Sequence, residues 1–190
     1  AAQDERPQRG AWRLRHLIDE IYQEVDSGTS QNTSQNTSQE IDQEVKPLAI
    51  EFDQTTSWYT LNDNVMGGVS QGGLLMSSSD QEGQVGVFSG ALSLKNNGGF
   101  SSTRARITSG SLSASKGLEM RIKGDGRKYE VLVTTASSPG SWQESFIAPK
   151  EWSTIRISFA KMRLSIRGWS PPLAPAVTPK NITTIGLLIK

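Results

Sequence analysis

The residues of this chain that could carry acid–base or metal chemistry are few and scattered. The single histidine, His16, lies in an N-terminal segment, and the absence of cysteine excludes thiolate chemistry and disulfides. Paired carboxylates could act as general acid and base, and the candidates are Asp63, Glu119, Asp125, Glu130 and Glu144. Asp63 lies between two asparagines and Asp125 between two glycines, where such side chains usually shape turns. The sequence therefore predicts a chain that is not an enzyme and indicates no cofactor or metal.

Two glycine pairs and the tryptophans offer other kinds of binding site. Gly67-Gly68 and Gly98-Gly99 are not followed by Lys-Ser or Lys-Thr, so a structural role is favoured over a phosphate cradle. Trp58 and Trp152 lie in or beside strand-like segments and are expected to pack in the core.

Two further tryptophans are candidates for exposed contacts. Trp142 and Trp169 lie beside loops rich in Ser, Pro and Gly, and Arg167 is close to Trp169. Aromatic and arginine side chains together are favoured in protein interfaces. We therefore predict that Trp142, Arg167 and Trp169 contribute to a protein-binding surface, with a sugar-stacking platform of tryptophans as the alternative.

The charge balance limits the class of partner. Lys and Arg nearly balance Asp and Glu, which gives a net charge of +1 and argues against nucleic acid as a partner. Arginines at positions 104, 106, 121 and 127 could still form a local basic patch. No apolar run is long enough to cross a bilayer, so any membrane association is expected to be peripheral.

The chain divides into three segments. Residues 1–28 form an extension in which residues 11–25 have apolar side chains at helical spacing, so an amphipathic helix is expected. Its residues Leu14, Ile18 and Tyr22 are candidate protein contacts. Residues 29–46 contain a repeat of Ser-Gln-Asn-Thr and are predicted to be a disordered linker.

Residues 47–190 are predicted to form strands throughout. Alternating apolar and polar residues, separated by Gly, Asn, Asp and Pro turns, predict strands near 48–52, 74–77, 85–94, 100–107, 117–123, 129–134, 143–147, 153–159 and 184–189. Many short strands without a helical period indicate an all-β sandwich or jelly roll.

Three blocks of residues in this region are more specific than turns. The first contains Trp58, Asn62, Asp63, Met66, Gly67 and Gly68; the second contains Asn97, Gly98, Gly99 and Phe100; the third contains Gly124, Asp125 and Gly126. In this order the blocks closely resemble the complex I intermediate-associated protein 30 family.

The resemblance implies a galactose-binding-like jelly roll without catalytic residues. It also implies an assembly factor or scaffold that binds protein subunits of a membrane redox complex, either respiratory complex I or a photosystem. Such a protein would lie in a plastid, a mitochondrion or a bacterial cytoplasm, and it should expose an apolar or aromatic patch at the sandwich edge. The family usually has one more strand after residues 185–187, so an open sheet edge is expected here. The alternative function is a carbohydrate-binding β-sandwich module.

Overall fold

The structure, a computed structural model, describes the backbone of residues 7–17 and residues 48–190. Its strands are β1 (Pro7–Leu17), β2 (Ala49–Ile50), β3 (Trp58–Asn62), β4 (Gln71–Ser79), β5 (Gly83–Ala91), β6 (Ser101–Arg106), β7 (Gly117–Lys123), β8 (Lys128–Thr135), β9 (Ser141–Ile147), β10 (Ser153–Ser158), β11 (Arg163–Ser165) and β12 (Ile182–Ile189). Four short 3-10 helices lie at Asp63–Met66, Lys95–Asn97, Phe159–Lys161 and Pro179–Asn181. The predicted all-β class is confirmed.

The strands form because their sequences alternate between a core face and an outer face. In β8, Tyr129, Val131 and Val133 are buried in the core cluster, and β7 contributes Leu118, Met120 and Ile122 to the same cluster. A strand repeats every two residues, so this spacing places one set of side chains on a single face. Burial of that face stabilises each strand more than its intrinsic β propensity does.

Two antiparallel sheets enclose the core. The first has the order β10-β7-β1-β5-β4, with β2 paired to β1, and the second has the order β11-β9-β8-β12-β6-β3. Aromatic rings pack between the sheets: Tyr129 and Phe146 lie with centroids 6.2 Å apart, and Phe52 stacks on Trp58 at 4.7 Å. The inner side chains of both sheets therefore share one core, as in a sandwich.

The N-terminal segment is the main departure from expectation. Residues 11–17, predicted as the first half of a helix, belong to strand β1; residues 18–25 lie outside the described residues, as does the predicted linker. β1 lies between β5 and β7, with Gln8 opposite Gly90 and Arg13 opposite Arg121. The alternation of Trp12 and Leu14 with Arg13 and Arg15 is a strand period that the helical spacing obscured. Residues 7–12 of β1 pair with β5, residues 11–17 pair with β7 and residues 14–15 pair with β2. This tertiary pairing overrides the local helical preference.

The position of β1 changes what holds the first sheet together. β5 pairs with β4 and β7 pairs with β10, and β1 pairs with both β5 and β7. Without β1 the sheet would consist of two separate pairs of strands. The N-terminal segment therefore supplies a central strand rather than an accessory element.

A proline in β1 tests this arrangement. Arg13→Pro removes an N–H from a central strand and introduces a ring that a ladder cannot accommodate, so we expect a loss of about 3 kcal/mol or more in the free energy of unfolding. Arg13→Thr is the matched control, because it keeps the N–H and suits a strand. Urea unfolding measures both; equal midpoints for the two variants would contradict the central placement of β1.

Candidate functional site

The first block of motif residues lies where β3 ends and passes into the 3-10 helix Asp63–Met66. Asp63 is completely buried. Its backbone N–H donates to the carbonyl of Phe100 at 3.2 Å, which joins the start of this helix to the segment that leads into β6. Two distant parts of the sequence therefore meet at one aspartate.

The Asp63 carboxylate accepts hydrogen bonds from two backbone N–H groups. Oδ1 accepts from Ser70 N at 2.9 Å, and Oδ2 accepts from Gly99 N at 2.6 Å. Burial alone would raise the pKa of Asp63, but the hydrogen bonds from Ser70, Gly99 and Phe100 outweigh burial and lower it. Asp63 is therefore ionised and holds two chain segments together, and a role as a general acid is not supported.

The glycines of both blocks leave room for this carboxylate. A Cβ atom on Gly68 or on Gly98 would overlap the Asp63 side chain. Gly67 ends the 3-10 helix with a φ of +87°, a conformation that other residues rarely adopt. The interpretation of these glycines as structural rather than phosphate-binding agrees with this geometry.

Further hydrogen bonds join the chain segments that contain Asp63, Ser70 and Gly99. Asn62 donates from Nδ2 to the carbonyl of Gly72 at 3.2 Å and accepts from Ser101 Oγ at 2.6 Å. Ser70 Oγ accepts from Ser93 N at 2.9 Å. We call this set of contacts around Asp63 the Asp63 knot, comprising Asn62, Asp63, Gly68, Ser70, Ser93, Gly98 and Gly99.

Four exposed apolar side chains adjoin residues of the Asp63 knot. Val65, Met66, Val69 and Leu94 are 62%, 61%, 48% and 72% exposed. Val65 and Met66 are consecutive, while Val69 and Leu94 adjoin the bonded pair Ser70 and Ser93. We call these four residues the apolar patch. Aliphatic side chains gathered in water on a rigid support are typical of a protein-binding surface.

The sequence identified only one member of the apolar patch. Met66 was predicted as a structural motif residue, whereas its side chain is mostly exposed. Val65, Val69 and Leu94 were not predicted. The feature that could have revealed them is an apolar stretch inside a glycine-rich turn motif. Such a stretch has no period that would place every apolar side chain toward the core.

The predicted contact residues separate in the structure. Trp142 is only 6% exposed and donates from Nε1 to the carbonyl of Pro175 at 2.9 Å, so its prediction as an exposed loop residue is wrong. Trp169 is 63% exposed. Arg167 and Gly168 have φ values of +50° and +83°, as in a type I′ turn that carries Trp169 at its end. Leu14 lies in β1, and Ile18 and Tyr22 lie outside the described residues.

Trp58, Trp152 and Trp169 do not form a common platform. Trp58 stacks on Phe52 near the β3 edge of the second sheet, and Trp169 lies beyond β11 at its opposite edge. Trp152 precedes β10 in the first sheet. The predicted basic patch is also divided, because Arg121 pairs with Glu82 on the first sheet, whereas residues 104 and 106 lie on the second.

The third motif block is a turn, as its composition predicted. Asp125 accepts from Arg127 N through Oδ1 at 3.0 Å, and Gly126 has a φ of +84°. Burial raises the pKa of the Tyr129 phenol, and the Asp125 carboxylate raises it further. These groups stabilise the β7–β8 turn.

A polar groove of about 270 Å³ lies over β8, β9 and β11, with Lys190 after β12 as part of its lining. Lys190 Nζ contacts Glu130 Oε2 at 2.9 Å and donates to Gln143 Oε1 at 3.3 Å. The other residues that line the groove are Glu144, Ser145, Arg163, Ser165, Gly168 and Ser170. These side chains offer hydrogen bonds to a polar ligand. No aromatic ring is among the described residues that line the groove.

The described residues contain no group of three or more His, Cys, Asp or Glu placed to hold a metal ion. Within the same ranges, no helix has the length and hydropathy needed to cross a bilayer.

Comparison with known proteins identifies the family. The family model for complex I intermediate-associated protein 30 matches residues 49–190, which include the Asp63 knot and the apolar patch. The chain belongs to this family. The predicted family is thus confirmed, and its name refers to association with intermediates of complex I.

Solved structures with a similar fold are carbohydrate-binding modules. The family 11 module of the cellulosomal cellulase Lic26A-Cel5E of Clostridium thermocellum matches with a TM-score of 0.59 and 16% identity, over 74% of this chain and 82% of that chain. The same family's module in complex with a β-1,3-1,4-mixed-linked tetrasaccharide matches with a TM-score of 0.56 and 17% identity, over 74% and 84%. At such identity the likeness concerns the fold alone, and it confirms the galactose-binding-like sandwich. No curated protein matches this chain.

Substitution of Asp63 tests the knot. Asp63→Asn places an amide that donates where two backbone N–H groups need acceptors, so we expect a loss of about 1–3 kcal/mol in the free energy of unfolding. Asp53→Asn is the matched control, because its carboxylate is exposed and bonds the nearby Thr55 within a local turn. Chemical denaturation measures the free energy of unfolding of both variants. Equal, small losses in the two variants would contradict the structural role of the Asp63 knot.

The same aspartate predicts a pH dependence. The pKa of Asp63 is lowered in the folded state, so its contribution to stability is present above the unfolded value of about 3.9 and is lost as pH falls through the folded pKa. Wild type should therefore lose more stability than Asp63→Asn on acidification below about pH 4. Denaturation midpoints at pH 3 and pH 6 measure this difference, and parallel curves would contradict it.

Proposed function

We propose that this chain is a non-catalytic protein-binding module that acts as an assembly factor or scaffold subunit of a membrane redox complex. The observation that carries the proposal is the apolar patch on the Asp63 knot. Residues that are characteristic of the family build the knot, and the knot presents Val65, Met66, Val69 and Leu94 to solvent. A surface of this kind gains binding free energy when a partner covers it.

The hydrogen-bonded backbone next to the apolar patch favours tight binding. The backbone around Asp63 is held by hydrogen bonds from three chain segments, including Asn96 Nδ2 to the carbonyl of Gly67 at 3.0 Å. Binding therefore orders few additional backbone torsions, which reduces the entropic cost of association. Met side chains adapt to irregular partner surfaces, and Met66 is well placed for that role.

The partner that we propose is a protein subunit of respiratory complex I or of a photosystem. The family name supports complex I, and the apolar character of the patch suits a hydrophobic subunit surface before it is covered in the mature complex. Such a module would bind at the membrane surface without spanning it, in an organelle or in a bacterium.

Substitution within the apolar patch tests this function. Met66→Asp places a charge within the patch, so we expect recovery of complex I or photosystem subunits with the tagged protein to fall about tenfold or more. Because Met66 is exposed, its stability should change by about 0.5 kcal/mol or less. Affinity purification from solubilised native membranes, followed by mass spectrometry, measures the recovery.

Leu173 offers the matched control for that experiment. It is 96% exposed and lies outside the patch, so Leu173→Asp should leave recovery unchanged. Equal recovery of these subunits with Met66→Asp and wild type would contradict the assignment of the interface. Recovery of no membrane redox subunit with wild type would contradict the proposed function itself.

Carbohydrate binding is a second candidate function, and the polar groove at Glu130 and Lys190 is the observation that favours it. The similar modules of family 11 support a sugar ligand for this architecture. Since no aromatic ring lines the described groove, hydrogen bonds would have to provide the affinity. Protein binding therefore remains the principal proposal.

Calorimetric titration tests the groove. If it binds glycans, a mixed-linked β-glucan oligosaccharide should give saturable heat with wild type, and Glu130→Gln should weaken binding by breaking the contact with Lys190. Glu151→Gln, at an exposed position outside the groove, is the control. Absence of heat across a broad glycan panel would rule out this second function.

A further inference from the structure

Three side chains at the β3 edge of the second sheet form an arrangement that the apolar patch does not explain. Tyr59 lies directly opposite Arg104 in the β3–β6 ladder, and Arg106 is two residues further along β6. Their neighbours Trp58 and Ala105 pack with the core. Since successive residues of a strand alternate in side, Tyr59, Arg104 and Arg106 share the outer face of the sheet.

Arg104 is held against the sheet rather than extended into water. Its side chain is half-buried, and Nε donates to Ser102 Oγ at 3.2 Å. Gly186 lies opposite on β12, where an added Cβ would be 3.0 Å from Arg104 Cγ. The absence of a side chain at Gly186 therefore lets Arg104 lie close to the sheet.

Arg106 is positioned by the same tyrosine. Its guanidinium carbon lies 5.4 Å from the centroid of the Tyr59 ring, a cation–π contact. The Tyr59 hydroxyl also interacts with Arg104 and raises its pKa, although burial, the larger effect, lowers it. Tyr59 thus brings two guanidinium groups to one small area.

Arg104 and Arg106 differ from the three arginines of residues 48–190 that form ion pairs. Arg121, Arg127 and Arg156 each have a carboxylate partner, at 2.9, 3.6 and 2.9 Å. Among residues 48–190, no carboxylate lies within ion-pair distance of Arg104 or Arg106. A partly buried charge costs free energy unless an opposite charge or hydrogen bonds compensate it.

We infer that Tyr59, Arg104 and Arg106 form an anion site that binds a carboxylate side chain of the partner protein. Guanidinium groups match a carboxylate through paired N–H donors, and the Tyr59 hydroxyl adds a further donor. This inference rests on the proposed function, because it assigns a second contact to the same partner.

The location of the site supports a carboxylate of a protein over the phosphates of a nucleic acid. Tyr59 lies three residues before Asn62 in β3, where the Asp63 knot begins, and three residues of a strand span about 10 Å. The anion site is therefore within reach of a segment that also covers the apolar patch. The chain's net charge of +1 offers no extended basic surface to a polyanion. The partner segment should thus carry an acidic residue close to its apolar contacts.

NMR of the arginine Nε–H groups in the full chain tests the site without the partner. We expect sodium succinate, a soluble dicarboxylate, to shift the Arg104 and Arg106 signals saturably, relative to sodium chloride at equal ionic strength. The ion-paired Arg121 and Arg156 serve as internal controls and should not shift. Saturation by sodium phosphate but not by succinate would overturn the carboxylate assignment, and identical responses to succinate and chloride would overturn the site.

Thermal unfolding gives a second measurement that does not depend on NMR assignment. A ligand that binds only the folded state raises Tm, so succinate should raise the Tm of wild type more than that of Arg104→Gln. Arg156→Gln should respond like wild type. Equal responses of wild type and Arg104→Gln would contradict the site. Failure of both measurements, with loss of subunit recovery in Met66→Asp retained, would refute the anion site and leave the proposed function intact.

Discussion

The buried carboxylate of Asp63 is the interaction on which the functional surface depends. It accepts hydrogen bonds from Ser70 N and Gly99 N, groups that are 7 and 36 residues away in the sequence. A buried anion is costly unless donors surround it, so the segments that provide these donors must stay in place. Gly68 and Gly98 lie against the same carboxylate, and a larger residue at either position would displace it. The residues of the apolar patch adjoin the backbone groups that hold this carboxylate, so the same hydrogen bonds restrain the backbone of the patch.

The two sheets contribute differently to that surface. β3 and β6 of the second sheet lead directly into the Asp63 knot and carry Tyr59 and Arg104 on their outer face. The first sheet supplies Gly72 of β4, which accepts a hydrogen bond from Asn62 of the knot, and this sheet depends on β1 for its continuity. β1 lies outside the family match at residues 49–190, yet it occupies the middle of a sheet. The family fold in this chain is therefore completed by its own N-terminal residues.

Strand periodicity and turn chemistry made much of the fold predictable. β7 has the predicted bounds, and Asp125 shapes the β7–β8 turn as its flanking glycines indicated. β1 was not predicted, since residues 11–17 fit both a helical and a strand period, and only long-range pairing decides between them. Trp142 was misplaced because its loop-like neighbours do not reveal that β9 sets it opposite Val133 in the core. The hydrogen bond from Gly99 N to Asp63 also cannot be predicted from local spacing, because the two residues are far apart in the sequence. The family resemblance could therefore indicate the motif residues but not the apolar patch beside them.

A site-specific photo-crosslink tests the central claim, that the apolar patch is the surface that binds the membrane redox complex. A photoreactive phenylalanine analogue at position 65, and separately at position 173, would be incorporated into the protein in its native membranes. We expect crosslinks from position 65 to a subunit of complex I or of a photosystem and none from position 173. Crosslinks from position 173 alone, or none from position 65, would contradict it.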